Sequence, residues 1–217
     1  MAPDTLSDSN LPCVHAIVPA AGRSARMGRP KQLLEVGGRT MLEAVLEPLA
    51  ASGSIGTIVL VTHDAIANRL DLKSIPRLKL VINNDERSEM IDSIRMGLRA
   101  LGTTAAREGR GAAGTPGGIL VVPGDQPGLG AKEIRTCIEA FHQTPQKIVI
   151  ATWQGRRGHP ILFPDSFVPF VMSEACDEGL RALPRQHQTL VRNVECGSPA
   201  VIRNINTAAD YKDFQSP

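Results

Sequence analysis

Aromatic side chains are scarce in this chain of 217 residues, which carries one Trp, one Tyr and five Phe. Proteins that stack single-stranded nucleic acid on aromatic platforms need more of them, so that class is excluded. An excess of one charge is missing too: the formal net charge is +2, without the basic footprint of a duplex binder. No C-x-x-C pair occurs. Cys13, Cys137, Cys176 and Cys196 stand far apart in sequence, a spacing that reads as reduced thiols rather than a disulfide framework or a zinc site. No apolar run approaches the roughly 18 residues of a membrane span. The opening M-A-P-D-T-L-S-D-S-N has two aspartates, no basic residue and no apolar stretch, unlike a secretory leader, and the expected location is the cytoplasm. The glycine-containing loop at residues 19–31 matches neither G-x-x-x-x-G-K-[ST] nor G-x-G-x-x-G, which disfavours an ordinary ATPase and a dinucleotide site there. By elimination the ligand is a small molecule.

What is abundant is glycine and proline, 20 and 16 residues, the mark of a loop-rich chain. Between the loops run short, nearly continuous apolar segments: Val14–Val18, Thr57–Val61, Leu78–Ile82, Ile119–Val122 and Lys147–Ile150. Such segments read as strands buried on both faces of a parallel sheet. Helical signals alternate with them. Thr40 and Glu43 have capping-box spacing. Ser88 stands as the cap of a stretch whose Met90, Ile91, Ile94, Leu98 and Leu101 share one side, and Ile134, Ile138 and Phe141 mark another. The expectation is an α/β fold, a Rossmann-like open, mostly parallel sheet with helices on both faces, binding its ligand beyond the carboxyl ends of the strands. Residues 1–11 read as a loose arm, 12–217 as one domain, and 102–118 as a flexible Gly-rich loop within it. After residue 152 the alternation lapses. The remainder, with strand-like pieces at 189–194 and 200–203, reads as an elaboration over the sheet edge.

The first strand runs into P-A-A-G-R-S-A-R-M-G-R-P-K, residues 19–31. Small residues at 20–22 let backbone approach a ligand, and amides in such a turn form an anion-binding concavity. Arg23, Arg26, Arg29 and Lys31 supply cations. The strand ending at Val122 is followed by P-G-D-Q-P, which places Asp125 where Mg²⁺ shared with phosphate oxygens would sit, since magnesium takes one or two protein carboxylates in such sites. Near the end of the chain, Asn204-Ile205-Asn206-Thr207 offers amide oxygens that can ligate a hard cation or cap the last helix. The segment G-R-R-G-H-P-I-L-F, residues 155–163, reads as a rigid turn presenting His159, with Arg156 and Arg157 placed to meet an acceptor phosphate.

The string V-P-A-A-G-R-S-A-R-M-G-R-P-K-Q-L-L-E-V-G-G-R-T-M-L, with G-D-Q-P and G-H-P-I-L-F after it, resembles the MobA/MocA-like nucleotidyltransferases, relatives of the sugar-nucleotide pyrophosphorylases. The resemblance implies the nucleotide-diphospho-sugar transferase type of sheet. It implies a nucleoside-triphosphate site made by Pro19, Ala20, Ala21, Gly22, Arg23, Ser24, Arg26, Met27, Gly28, Lys31, Asn83, Gly124 and Asp125. Within it Arg26, Lys31 and Asp125 are the catalytic residues. Mg²⁺ falls to Asp125 and Asn206, and the acceptor to Arg157, Gly158, His159 and Pro160. The implied reaction transfers CMP from CTP to a molybdopterin-type molybdenum cofactor with release of pyrophosphate, and the implied protein partner is a molybdoenzyme or its chaperone. Glu89 replaces a family glycine, and the N-x-N-T ending resembles the guanylyl branch. Open alternatives are a guanylyltransferase using GTP, a cytidylyltransferase for a small phosphorylated alcohol, and a non-catalytic nucleotide- or cofactor-handling module.

Overall fold

The structure, a computed structural model, describes residues 11–22, 28–108 and 117–215, without the side chains of 103–108. The apolar run after Pro12 forms β1 (Val14–Pro19), every residue of it buried. It lies parallel between β4 (Ile55–Thr62) and β6 (Gly118–Val121). A short hairpin, β2 (Glu35–Val36) with β3 (Arg39–Thr40), separates β1 from the first helix, α1 (Met41–Ala51). That helix opens on the expected capping box: Glu43 N–H donates to Thr40 Oγ1, and Thr40 N–H donates to Glu43 Oε2 at 2.8 Å. A single turn, α2 (Asp64–Ala67), leads to the edge strand β5 (Leu78–Ile82), parallel to β4. The chain then crosses back through α3 (Met90–Glu108) to β6 on the far side of β1. The direction of winding reverses between β1 and β6, and in open sheets that point is where ligands bind.

Helices cover both faces because strand residues alternate between them. Val14, Ala16 and Val18 point to the layer of α1 and α4 (Ala131–Gln143), where they meet Leu42, Val45, Leu46, Ile134, Ile138 and Phe141. Ile17 points to the opposite layer, against Ile94 and Leu98 of α3.

Several sequence expectations are corrected. The chain beyond 152 does not sit over the edge. After β7 (Ile148–Trp153) a tight turn at Gln154-Gly155 reverses it into β8 (Arg156–Pro164), which inserts antiparallel between β6 and β7. The order is therefore β5-β4-β1-β6-β8-β7-β9, where β9 (Val191–Glu195) is the parallel edge partner of β7. The polar first half of β8 hid it, because only Pro160–Pro164 are buried. Two short helices, α5 (Val168–Val171) and α6 (Ala182–Gln186), lie along the chain between β8 and β9. The strand-like piece at 200–203 is a 3₁₀ turn, Pro199–Ile202, ahead of α7 (Ala208–Gln215). The proposed loop at 102–118 begins with a break at Gly102 (φ 57°), but helix is assigned through Glu108. Residues 109–116, like 1–10 of the proposed arm, lie outside the described residues.

Candidate active site

At the carboxyl ends of β1 and β6 lies a cavity of about 340 Å³. Its floor is Pro19-Ala20-Ala21-Gly22 on one side and Pro123-Gly124-Asp125 on the other. The two loops touch. Gly124 N–H donates to Pro19 O at 3.1 Å, and a side chain at Gly124 would stand 2.7 Å from Ala20 Cβ, so only glycine admits this approach. Gln32, fully inside the protein, donates from Nε2 to both Ala20 O (2.9 Å) and Gly22 O (2.8 Å), while Thr62 Oγ1 donates to Ala20 O at 3.3 Å. In a planar trans peptide the C=O of one residue opposes the N–H of the next. With the Ala20 carbonyl held toward Gln32, the Ala21 N–H points the other way. Sequence reasoning passed over Gln32, whose only signal was its place beside Lys31.

The 3₁₀ turn Lys31–Leu33 also aims Lys31 into the cavity. Its Nζ donates to Asp125 Oδ2 at 2.7 Å, to Asn206 Oδ1 at 3.0 Å and to Ile205 O at 3.0 Å. Both members of the ion pair are largely buried, at 14% and 11% side-chain exposure, so water screens the pair little. Residues 94 and 175 positions apart thus converge on one ammonium. Asn206 is held there by the start of α7: Asp210 Oδ2 accepts from Asn206 N–H and Thr207 N–H, each at 2.8 Å, and Thr207 Oγ1 accepts from Asp210 N–H. Those backbone bonds keep the Asp210 carboxyl below its usual range. The helix cap is Thr207, which leaves the Asn206 amide oxygen to the cavity.

The other Asp125 oxygen, Oδ1, is buried and accepts no hydrogen bond from the described residues. Among those residues there is no cluster of three His, Cys, Asp or Glu, so a cage built wholly from protein is not the arrangement here. One orphaned carboxylate oxygen beside an amide oxygen suits a hard cation that completes its shell with phosphate and water.

The remaining expected nucleotide residues divide. Gly28 has φ 64°, the left-handed conformation glycine tolerates. Arg23, Ser24, Arg26 and Met27 lie outside the described residues. Asn83 does not line the cavity. Its Nδ2 donates to Ser88 Oγ at 2.7 Å and Ser93 Oγ at 3.2 Å, organising the loop between β5 and α3. Ser88 is consequently not the helix cap expected of it; Glu89 N–H is satisfied by Asp92 Oδ2 instead. Met90, expected inside, is 48% exposed and lines the cavity with Ser88, Glu89 and Ser93.

Glu89 and Met90 also border a second cavity of about 570 Å³, lined by Arg157, Gly158, His159, Ile161, Arg181 and Arg185 among others. The G-H-P segment is part of strand β8, not a turn. Gly158 is needed for packing: a side chain there would fall 1.8 Å from Val201 O. Arg157 Nε donates to Asn193 Oδ1 at 2.9 Å, which fixes the arginine beside β9. Burial pushes the His159 pKa down from 6.5 to about 4, only partly offset by the Asp125 carboxylate, so the imidazole is neutral at pH 7. Pro160 is buried behind it. Arg181 and Arg185 were missed because nothing near them in sequence marks a site.

Comparison with known proteins places this architecture. A MobA-like NTP transferase domain matches residues 16–190. The nicotine blue oxidoreductase of Paenarthrobacter nicotinovorans is 29% identical over 213 residues, covering 93% of this chain and 96% of that protein. A 2-C-methyl-D-erythritol 4-phosphate cytidylyltransferase of Yersinia pestis is 36% identical over 97 residues, 43% of this chain and 39% of the enzyme. Among solved structures, the Rv0371c protein of Mycobacterium tuberculosis H37Rv, in complex with manganese, superposes with a TM-score of 0.69 at 24% identity, over 93% of this chain and 97% of that one. With a family match over most of its length, the chain belongs to the MobA-like NTP transferase family and is an enzyme of the nucleotidyltransferase class.

Proposed function

We propose that the chain transfers CMP from CTP to the phosphate of a molybdopterin-type acceptor in the cytoplasm, delivering its product to a molybdoenzyme or its chaperone. The observation that carries this reading is the adjacency of the two cavities across Glu89 and Met90. One has the close-approach backbone, lysine and lone carboxylate suited to a triphosphate. The other has arginines suited to an anionic acceptor. The cytidylyltransferase name of the Yersinia relative supports the choice of CTP.

An oxygen of the acceptor phosphate attacks the α-phosphorus in line, and pyrophosphate leaves. Such a transfer is driven by positioning and charge neutralisation and needs no protein nucleophile. Ala20, Ala21 and Gly22 bring backbone against the phosphates, and Lys31 neutralises charge developing on them. Asp125 Oδ1 and Asn206 Oδ1 are the atoms that would hold Mg²⁺, which when bound supplies charge neutralisation on the phosphate oxygens. The manganese complex of the Rv0371c protein agrees with an ion of this class. Neutral His159 and Arg157 face the acceptor, with Arg26 assigned to the triphosphate as in the family.

The test is thermal stability of the purified protein titrated with CTP, GTP or ATP, with and without Mg²⁺, followed by pyrophosphate release. A ligand that binds only the folded state raises stability by mass action. A metal-dependent rise selective for CTP supports the reading. Selectivity for GTP replaces it with a guanylyltransferase, and no response to any nucleotide overturns it. A second reading, in which the Arg157–His159 cavity takes a redox-active substrate, is favoured by the oxidoreductase name of the Paenarthrobacter relative. Nucleotide-independent turnover of a redox dye would establish it.

A further inference from the structure

Two thiols far apart in sequence meet on the α1/α4 side of the sheet. Cys137 is fully buried on the inner face of α4, and Cys196 follows the last residue of β9, partly exposed. Their sulfurs are 4.0 Å apart across 59 residues of chain, in hydrogen-bonding contact. The positions are well held. Cys196 N–H donates to Thr152 O at 3.0 Å, and the α4 end is fixed by its apolar face. The two sulfurs also differ. The hydrogen bond shared with Cys137 lowers the Cys196 pKa, whereas the same contact and burial raise that of Cys137. An exposed, more acidic thiol beside a buried partner is the usual arrangement of an attacking and a resolving cysteine.

What the pair would tether gives it significance. α4 starts six residues beyond Asp125. The segment after Cys196 returns to the same loop: Gln126 Nε2 donates to Val201 O at 3.1 Å, Ile205 N–H donates to Asp125 O at 2.9 Å, and Asn206 holds Lys31. A covalent link between Cys137 and Cys196 would therefore join the helix that follows the Asp125 loop to the segment whose Val201 and Ile205 hydrogen-bond that loop.

We infer that Cys137 and Cys196 form a reversible oxidation site, closing under a peroxide oxidant to a disulfide that ties α4 to the segment leading into the cavity. The Cys196 thiolate attacks one peroxide oxygen. The S–O bond forms, the O–O bond breaks, and hydroxide leaves to become water. The Cys137 sulfur, giving up its proton, then attacks the Cys196 sulfur. The S–S bond forms, the S–O bond breaks, and the second hydroxide leaves with that proton as water. The two thiols lose two electrons and the peroxide gains them. A dithiol reductant reverses the change.

The full chain is treated with hydrogen peroxide, denatured, alkylated and weighed, and its melting is followed in parallel. Of the four thiols, two should remain alkylatable, with the unalkylated protein lighter by about 2 Da, a higher Tm, and full recovery under dithiothreitol. Cys196→Ser should abolish the loss of Cys137 labelling. Cys137→Ser should halt the reaction at oxygen addition to Cys196. Because Cys137 is in the core and its variant can fail to fold, Cys196→Ser carries the decision. Four thiols still alkylated after peroxide, or oxygen added to Cys196 in the unmodified chain while Cys137 stays free, would overturn the inference.

Discussion

The two cavities are built on opposite plans. Around the cavity proposed for the triphosphate, the two floor loops directly follow the buried strands β1 and β6, and main-chain groups take part in each contact that holds them: Gly124 N–H on Pro19 O, the Gln32 side chain on two carbonyls, Ile205 N–H on Asp125 O. Around the acceptor side, groups project from the exposed half of an antiparallel strand and from short helical turns, with Arg157 steadied by one side-chain bond. On the function proposed above, backbone-held geometry serves a constant chemical object, the triphosphate. Side-chain-held geometry is free to vary with the acceptor, because changing it breaks no sheet hydrogen bond.

That contrast makes damage on the two sides distinguishable. Asp125→Ala should be the most severe: pyrophosphate release falls about a thousandfold or more, since both its charge and the partner of Lys31 go. Rates near those of the unaltered enzyme in this variant would remove Asp125 from the chemistry. Lys31→Ala should lower kcat about a hundredfold with a much smaller change in the KM for nucleotide; a change confined to KM would make Lys31 a ground-state contact.

On the acceptor side the expected signature is in pH. His159 has its pKa lowered to about 4 in the fold, against 6.5 unperturbed. Between those values the unfolded chain binds a proton that the native state refuses, so stability is full above pH 6.5 and drains as pH falls toward 4. The loss attributable to this residue is on the order of 2 kcal/mol after allowing for its partial exposure. His159→Gln should flatten the decline by that amount in urea midpoints compared at pH 6.5 and 4.5; identical declines would show that the imidazole is not held neutral. Smallest is Gln32→Ala, which leaves the Gly22 carbonyl without this donor and should cost about 1–2 kcal/mol. Its rise in nucleotide KM should exceed its effect on the KM for acceptor, and the reverse order would erase the distinction between the two sides.

The strands and loops that build the first cavity were largely readable without coordinates. Its strands are continuous apolar runs that admit few interpretations, and the loops after Pro19 and Val122 follow them directly. The acceptor side was not. The polar run Arg156–His159 concealed a strand whose place in the sheet depends on pairing with both β6 and β7. Asn83 was assigned to the nucleotide by resemblance alone, since a lone amide carries no sign of its partners; its Nδ2 donates to two serines.

The order of residues alone settled where the apolar strands run, where the first helix is capped, and which loops carry glycine, lysine and aspartate, since these follow from local periodicity and backbone sterics; it did not settle burial, because Leu78–Ile82, expected to be covered on both faces, is an edge strand with no buried residue. Folding in three dimensions decided that β8 enters the middle of the sheet, that Lys31 stands between Asp125 and Asn206, and that Cys137 meets Cys196. The lysine and cysteine contacts span 59 to 175 residues, set by how layers pack, and no local pattern encodes a distance of that kind.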